Sequence, residues 1–174
     1  MNREHGLETL FSAEKIAERL NSLAFEISDG MSPEFVLVAI LKGSFVFAAD
    51  LLRSMAARQI NPEVDFMILS SYGEGTTSSG TVRLLRDTEI SVRDRHVLLV
   101  DDILDSGKTL EFACRHLLEK GAKSTKVCVL LNKQTGIGKA DYVGFACPDA
   151  FVVGYGMDHA HKFRGLPFIA SLKR

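Results

Sequence analysis

Read from the amino terminus, the apolar positions Ile16, Leu20, Leu23 and Ile27 recur at helical spacing, with Ser12 placed to cap the helix and Ser28-Asp29-Gly30 to stop it. After Pro33 the pattern changes. Residues 35–41 are apolar without a break, as a strand buried on both faces would be, and residues 45–55 return to helical period after Gly43. Asn61-Pro62 marks a turn, and residues 64–70 and 82–85 read as strands beyond it. Residues 73–80 are small or polar apart from one acid, bury almost nothing and are expected to be mobile. Residues 96–100 predict another buried strand. Leu110, Ala113, Cys114, Leu117 and Leu118 predict a helix closed by Gly121, and residues 125–131 a further strand. Two short strands are expected at 142–145 and 151–153, with Pro148 between them. Strands alternating with helices predict an α/β fold, a largely parallel sheet with helices on both faces and ligands at the carboxyl ends of the strands.

Composition narrows this further. The 174 residues are 46% apolar and 25% charged, which fits one soluble globular domain over 1–174. A chain of this length buries roughly 70% of its unfolded surface and needs no disulfide or structural metal to hold its core. Lys and Arg number 21 against 22 Asp and Glu, so no basic excess points to nucleic acid. No apolar run approaches the ~20 residues of a membrane span, and the first ten residues lack the apolar stretch of a signal peptide. Cys114, Cys128 and Cys147 are an odd number without a C-x-x-C pair, as expected of reduced thiols in a cytoplasm.

The chemistry concentrates in Val97-Leu98-Leu99-Val100-Asp101-Asp102-Ile103-Leu104-Asp105-Ser106-Gly107-Lys108-Thr109, where a buried strand ends in two carboxylates and passes through a short loop into a helix. Amides at the helix start, with the hydroxyls of Ser106 and Thr109, would cradle a phosphate; Gly107 lets it approach the main chain and Lys108 adds positive charge. Neighbouring strand residues point to opposite faces, so Asp101 and Asp102 would flank a polyhydroxylated, metal-bearing ligand rather than meet on one atom. A sugar phosphate fits. The run is not a P-loop, because Asp102 stands where the first glycine belongs. The acidic D-D-x-x-D spelling of terpenoid synthases belongs to all-helical bundles, whereas here a strand precedes it. No G-x-G-x-x-G occurs.

This segment resembles the phosphoribosyl pyrophosphate motif of the phosphoribosyltransferases: an apolar strand, two acids, two apolar residues, Asp, Ser or Thr, Gly, a basic residue and Thr or Ser. The resemblance covers about 37–168. Val38-Ala39-Ile40-Leu41-Lys42-Gly43-Ser44-Phe45, Asp65 to Gly73, Leu130-Leu131-Asn132-Lys133, Asp141 to Phe145 and Phe151 to Tyr155 are similar in order and spacing to the hypoxanthine-guanine branch. At Asp101 many members carry glutamate.

The resemblance implies a type I phosphoribosyltransferase fold with a small hood built from amino- and carboxyl-terminal pieces. The implied reaction joins a 6-oxopurine to C1 of phosphoribosyl pyrophosphate, with Mg²⁺ on the donor. Asp101, Asp102, Asp105, Ser106, Gly107, Lys108 and Thr109 would hold the phosphoribosyl group, and Asp105 would be the general base near purine N7. Lys42, Gly43 and Arg164 would meet pyrophosphate, with a cis peptide between Leu41 and Lys42. Lys133 would donate to the purine 6-oxo group, Phe151 would stack on the base, and Val152 and Asp158 would complete the purine side. Asp101, Asp102 and Asp158 are the implied magnesium carboxylates, while His159 and His161 read as surface histidines. Ser71, Tyr72 and Gly73 would belong to a flexible lid that excludes water. The resemblance also implies a homo-oligomer acting on small molecules, away from nucleic acid and membrane. Two alternatives stand beside it: a sister transferase preferring xanthine, and a non-catalytic regulator that binds nucleic acid with the same fold.

Overall fold

The computed structural model describes residues 6–72, 81–133 and 138–172. The expected mobile stretch 73–80, including Gly73, lies outside them. A strand β1 (Leu7–Phe11) leads into helix α1 (Ala13–Gly30), where the Ser12 hydroxyl accepts from the Lys15 amide as the expected cap. The uninterrupted apolar run forms β2 (Phe35–Leu41), followed by α2 (Phe45–Ala56). Next come β3 (Glu63–Tyr72) and β4 (Thr81–Arg86), an antiparallel pair. Then follow β5 (His96–Leu104), α3 (Lys108–Glu119), β6 (Ser124–Lys133) and β7 (Tyr142–Cys147). Two short strands, β8 (Val152–Val153) and β9 (Ile169–Leu172), end the described chain.

Six strands form one sheet in the order β4-β3-β2-β5-β6-β7, parallel except for β4. Alternation along the central strands feeds two cores. Leu37, Ala39, Leu98 and Val100 face α1 and α2, while Val36, Val38, Val97 and Leu99 face α3. That two-sided burial explains why β2 carries no polar residue. A second sheet, β1-β9-β8, is antiparallel; β8 falls within the strand expected at 151–153, whereas β1 and β9 were not expected. Leu7–Phe11 and Ile169–Leu172 are too short to carry a clear period, and they become strands only because segments far apart in sequence meet.

One boundary needs correction. β5 does not end at its two carboxylates but continues through them to Leu104. Beyond Val100 it leaves β2 and stays paired with β6 alone, as far as Leu104 against Asn132. The neighbours β2 and β5 are also where the strand order turns from one direction to the other. In such sheets the connections leave on opposite sides and a crevice opens at the carboxyl ends.

Candidate active site

Two adjoining cavities occupy this crevice. The smaller, about 250 Å³, is lined by residues 40–43 after β2 and by Asp101, Asp102, Asp105, Ser106, Gly107 and Thr109 among others. The larger, about 510 Å³, shares Lys42, Gly43, Asp102 and Asp105 with it and extends to Lys133, Phe151, Val152, Asp158 and Arg164. Residues expected to act together, and spread over more than a hundred positions, thus line one continuous space. Lys108 does not: it opens α3 as an exposed residue outside both cavity walls.

The floor of the smaller cavity is built for an anion. Helices α2 and α3 both begin at its edge, with Ser44 and Gly107 at their N-cap positions and no side-chain cap bond at either. The buried Ser44 hydroxyl turns back to donate to the Ile40 carbonyl at 2.5 Å, which holds the loop after β2 in place. Gly107, in the left-handed region, precedes the first turn of α3, so Asp105 is not the cap of that helix. First-turn amides at helix starts favour phosphate through both geometry and dipole. The Leu41–Lys42 peptide is cis, as the resemblance implied. Gly43 lies so close beneath Asp102 that any Cβ there would strike its carboxylate.

Asp101 is buried, 7% exposed, and its Oδ1 accepts the Asp102 amide at 2.9 Å. Burial, then the neighbouring charge of Asp102, pushes Asp101 well above the ordinary carboxylate range. Burial also raises Asp102, against the opposing pull of Asp101, backbone amides and Arg164. Such a pair gains from a polyol or a cation that supplies donors or positive charge. Among the described residues no three His, Cys, Asp or Glu side chains converge on a metal position. Mg²⁺ commonly keeps several waters and binds through one or two carboxylates plus substrate phosphates, so acids at the mouth of an anion cradle suit an ion that arrives on its substrate.

At the far wall of the larger cavity, Lys133 closes β6 rather than following it, and its side chain is 14% exposed. Its Nζ lies 3.3 Å from Asp105 Oδ2 and 3.6 Å from Asp149 Oδ1. The Phe151 ring is exposed on one side and meets His159 edge-on, with centroids 5.3 Å apart. Asp158 is engaged by Arg164 at 2.5 Å and by the His161 amide at 2.7 Å. Arg164 also donates to the Gly156 carbonyl at 2.7 Å, so its guanidinium is aimed from two sides. Ile68, Leu69, Ser70 and Leu85 of the β3–β4 pair complete this cavity, while Ser71 and Tyr72 are backbone-paired with Val82 and Thr81. Sequence reasoning missed Asp149, which carries no periodic signal.

The phosphoribosyl transferase domain family model matches residues 6–160. The hypoxanthine-guanine phosphoribosyltransferase of Bacillus subtilis is 42% identical over 175 residues, covering 98% of this chain and 96% of that protein. The hypoxanthine phosphoribosyltransferase of Escherichia coli is 38% identical, with 97% of each covered. Among solved structures, a hypoxanthine phosphoribosyl transferase of Trypanosoma cruzi superposes with a TM-score of 0.91 at 39% identity, covering 99% of this chain and 94% of that one. A hypoxanthine-guanine phosphoribosyltransferase from Bacillus anthracis gives 0.87 at 44% identity, covering 95% and 98%. With a crevice at the β2–β5 divergence, paired acids on β5 and a glycine-bearing turn into α3, the chain belongs to the phosphoribosyltransferase family.

Proposed function

We propose that the chain transfers the 5-phosphoribosyl group of phosphoribosyl pyrophosphate to N9 of hypoxanthine or guanine, yielding the nucleoside monophosphate and pyrophosphate in purine salvage. The observation that carries this reading is the 3.3 Å approach of Lys133 Nζ to Asp105 Oδ2 at the wall of the larger cavity. A 6-oxopurine presents O6, an acceptor, beside N7 on one edge. An ammonium next to a carboxylate matches that edge when N7 bears a proton. Adenine presents a 6-amino donor at that position, which offers the Lys133 ammonium no acceptor.

The reaction breaks the bond from C1 to the pyrophosphate oxygen, forms the bond from C1 to N9, and requires the purine to lose a proton. Asp105 accepts that proton or draws it off through hydrogen bonding at N7. The 5-phosphate is held by the amides and hydroxyls of 105–109, with Lys108 adding only long-range charge. Asp101 and Asp102 accept from the ribose hydroxyls. Lys42, the amides around Gly43, and Arg164 neutralise charge that grows on pyrophosphate as it leaves. Phe151 stacks on the base, and the main chain of Val152, with Asp158 beyond it, meets the pairing edge. Asp101, Asp102 and Asp158 would hold the Mg²⁺ that accompanies the donor, which supplies positive charge to the diphosphate.

The β1-β9-β8 sheet is read as the hood over the purine, in a single domain spanning 1–174. Ser71, Tyr72 and Gly73 are read as the root of a lid. No described helix is long and apolar enough to cross a membrane. With three free thiols among the described residues, this supports a cytoplasmic enzyme.

A spectrophotometric assay with phosphoribosyl pyrophosphate, Mg²⁺ and each of hypoxanthine, guanine, xanthine and adenine tests the reading. Hypoxanthine or guanine is expected to react, adenine to be worse by at least roughly 10³-fold in kcat/KM, and chelation of Mg²⁺ to stop turnover. Asp105→Asn is expected to lower kcat by about 10²-fold or more with donor binding retained. Loss of donor affinity alone would move Asp105 to the phosphate site, and preference for xanthine would favour the sister activity.

A further inference from the structure

Helix α2 is largely apolar, yet Asp50 interrupts it. Asp50 Oδ2 accepts a 2.6 Å hydrogen bond from the Tyr155 hydroxyl, while Oδ1 pairs with Arg53 at 2.5 Å. Tyr155 is 6% exposed; burial, reinforced by the Asp50 acceptor, raises its phenol far above the ordinary value, so the hydroxyl remains the donor. The bond joins α2, which follows the Lys42–Gly43 loop, to the turn whose Met157 lines the larger cavity. Tyr155 sits in a turn at 154–157 closed by reciprocal bonds between Gly154 and Met157 at 3.1 and 3.0 Å. The Tyr155 amide donates to the Leu166 carbonyl and the Gly156 amide to the Arg164 carbonyl, each at 2.9 Å. Gly156, at φ +103, rests on the Gly43 carbonyl so closely that a side chain would collide with it. Asp158 follows one residue after the turn, and Arg164 is fastened to it through Gly156.

We propose that the Asp50–Tyr155 hydrogen bond is a positioning clamp that sets the spacing between the Lys42–Gly43 loop and the segment bearing Asp158 and Arg164, so that both sides grip the donor's diphosphate together. Neither residue touches the reacting atoms; both act through Gly43 and Arg164. Of the groups placed on the purine side, only Asp158 belongs to the clamped segment; Lys133, Asp105 and Val152 are anchored elsewhere. Lys133 and Asp105 hold each other on β6 and the turn after β5, and Val152 pairs with Ser171 of β9. Loss of the clamp therefore weakens the donor far more than the base, which keeps Lys133, Asp105 and Val152.

The inference rests on the transferase reading, and its test separates the two. Tyr155→Phe, Asp50→Ala and Asp50→Asn are compared with the unaltered chain by steady-state kinetics in each substrate, by calorimetric titration with Mg²⁺ and phosphoribosyl pyrophosphate without purine, and by thermal melting. An unaltered chain that does not transfer phosphoribosyl groups sinks the transferase reading itself. Given activity, Tyr155→Phe and Asp50→Ala are expected to raise the donor KM and Kd roughly tenfold, with the hypoxanthine KM within about twofold. Asp50→Asn keeps an acceptor oxygen for the tyrosine and is expected to stay near the unaltered values. The clamp is refuted by unchanged donor constants, by donor and purine KM rising together, or by a lowered melting temperature as the sole effect. It is equally refuted if Asp50→Asn behaves as Asp50→Ala.

Discussion

Gly43 is the residue where backbone and chemistry press hardest on one another. The Asp102 carboxylate occupies the volume a Cβ would need, so Gly43→Ala must displace either the loop after β2 or the acid. The expected outcome is a donor KM raised at least roughly tenfold and a stability loss of about 1–3 kcal/mol, the usual cost of forcing atoms into a packed site. Donor titration and urea unfolding check it, and native-like values in both would show that the contact can relax. A sequence marks Gly43 only as a glycine after a strand; that it lies under Asp102 follows from β2 and β5 separating, which no local pattern records. Asp101, Asp102 and Asp105 were legible because acids at the end of an apolar strand are rare without a use. Asp149 was not, since its 3.6 Å approach to Lys133 joins a loop and a strand end through space.

Among the elements, α3 shows how the helix that follows the turn after β5 is itself secured. Asp87, just beyond β4, accepts from His116 at 3.0 Å and from Lys120 at 2.9 Å on its last turns. Burial raises the Asp87 carboxyl, but Lys120, His116 and the Thr88 amide together outweigh it and hold the group below its ordinary value of 3.8. A carboxyl depressed in the folded state adds stability above its unfolded value and loses it as pH falls through the folded one. Asp87→Asn is therefore expected to narrow the stability gap to the unaltered protein as pH drops below 3.8. Urea midpoints from pH 7 downward check this; a gap that widens on acidification would reverse the assignment. The effect should be small, because the group is partly exposed and screened. Here the helix itself was legible from Leu110, Ala113 and Leu117, but its tether to residue 87 was not.

On the scale of the whole molecule, the single chain leaves Phe25, Phe45, Phe66, Leu85 and Leu118 exposed, and the family resemblance implies self-association. Sedimentation of the purified chain is expected to give at least twice the mass of one copy, and a monomer at every concentration would refute that. Order and type of the elements from α1 to β7 were set by the sequence alone, since hydrophobic period and glycine stops act within a few residues of one another. The paired acids of β5 and the family they signal belong to that local information as well. Tertiary structure decided the rest. The β1-β9-β8 sheet, the cavity between β2 and β5, the Lys133–Asp105 contact and the Asp50–Tyr155 bond all join distant segments, and such contacts form only when the packed sheet brings them together.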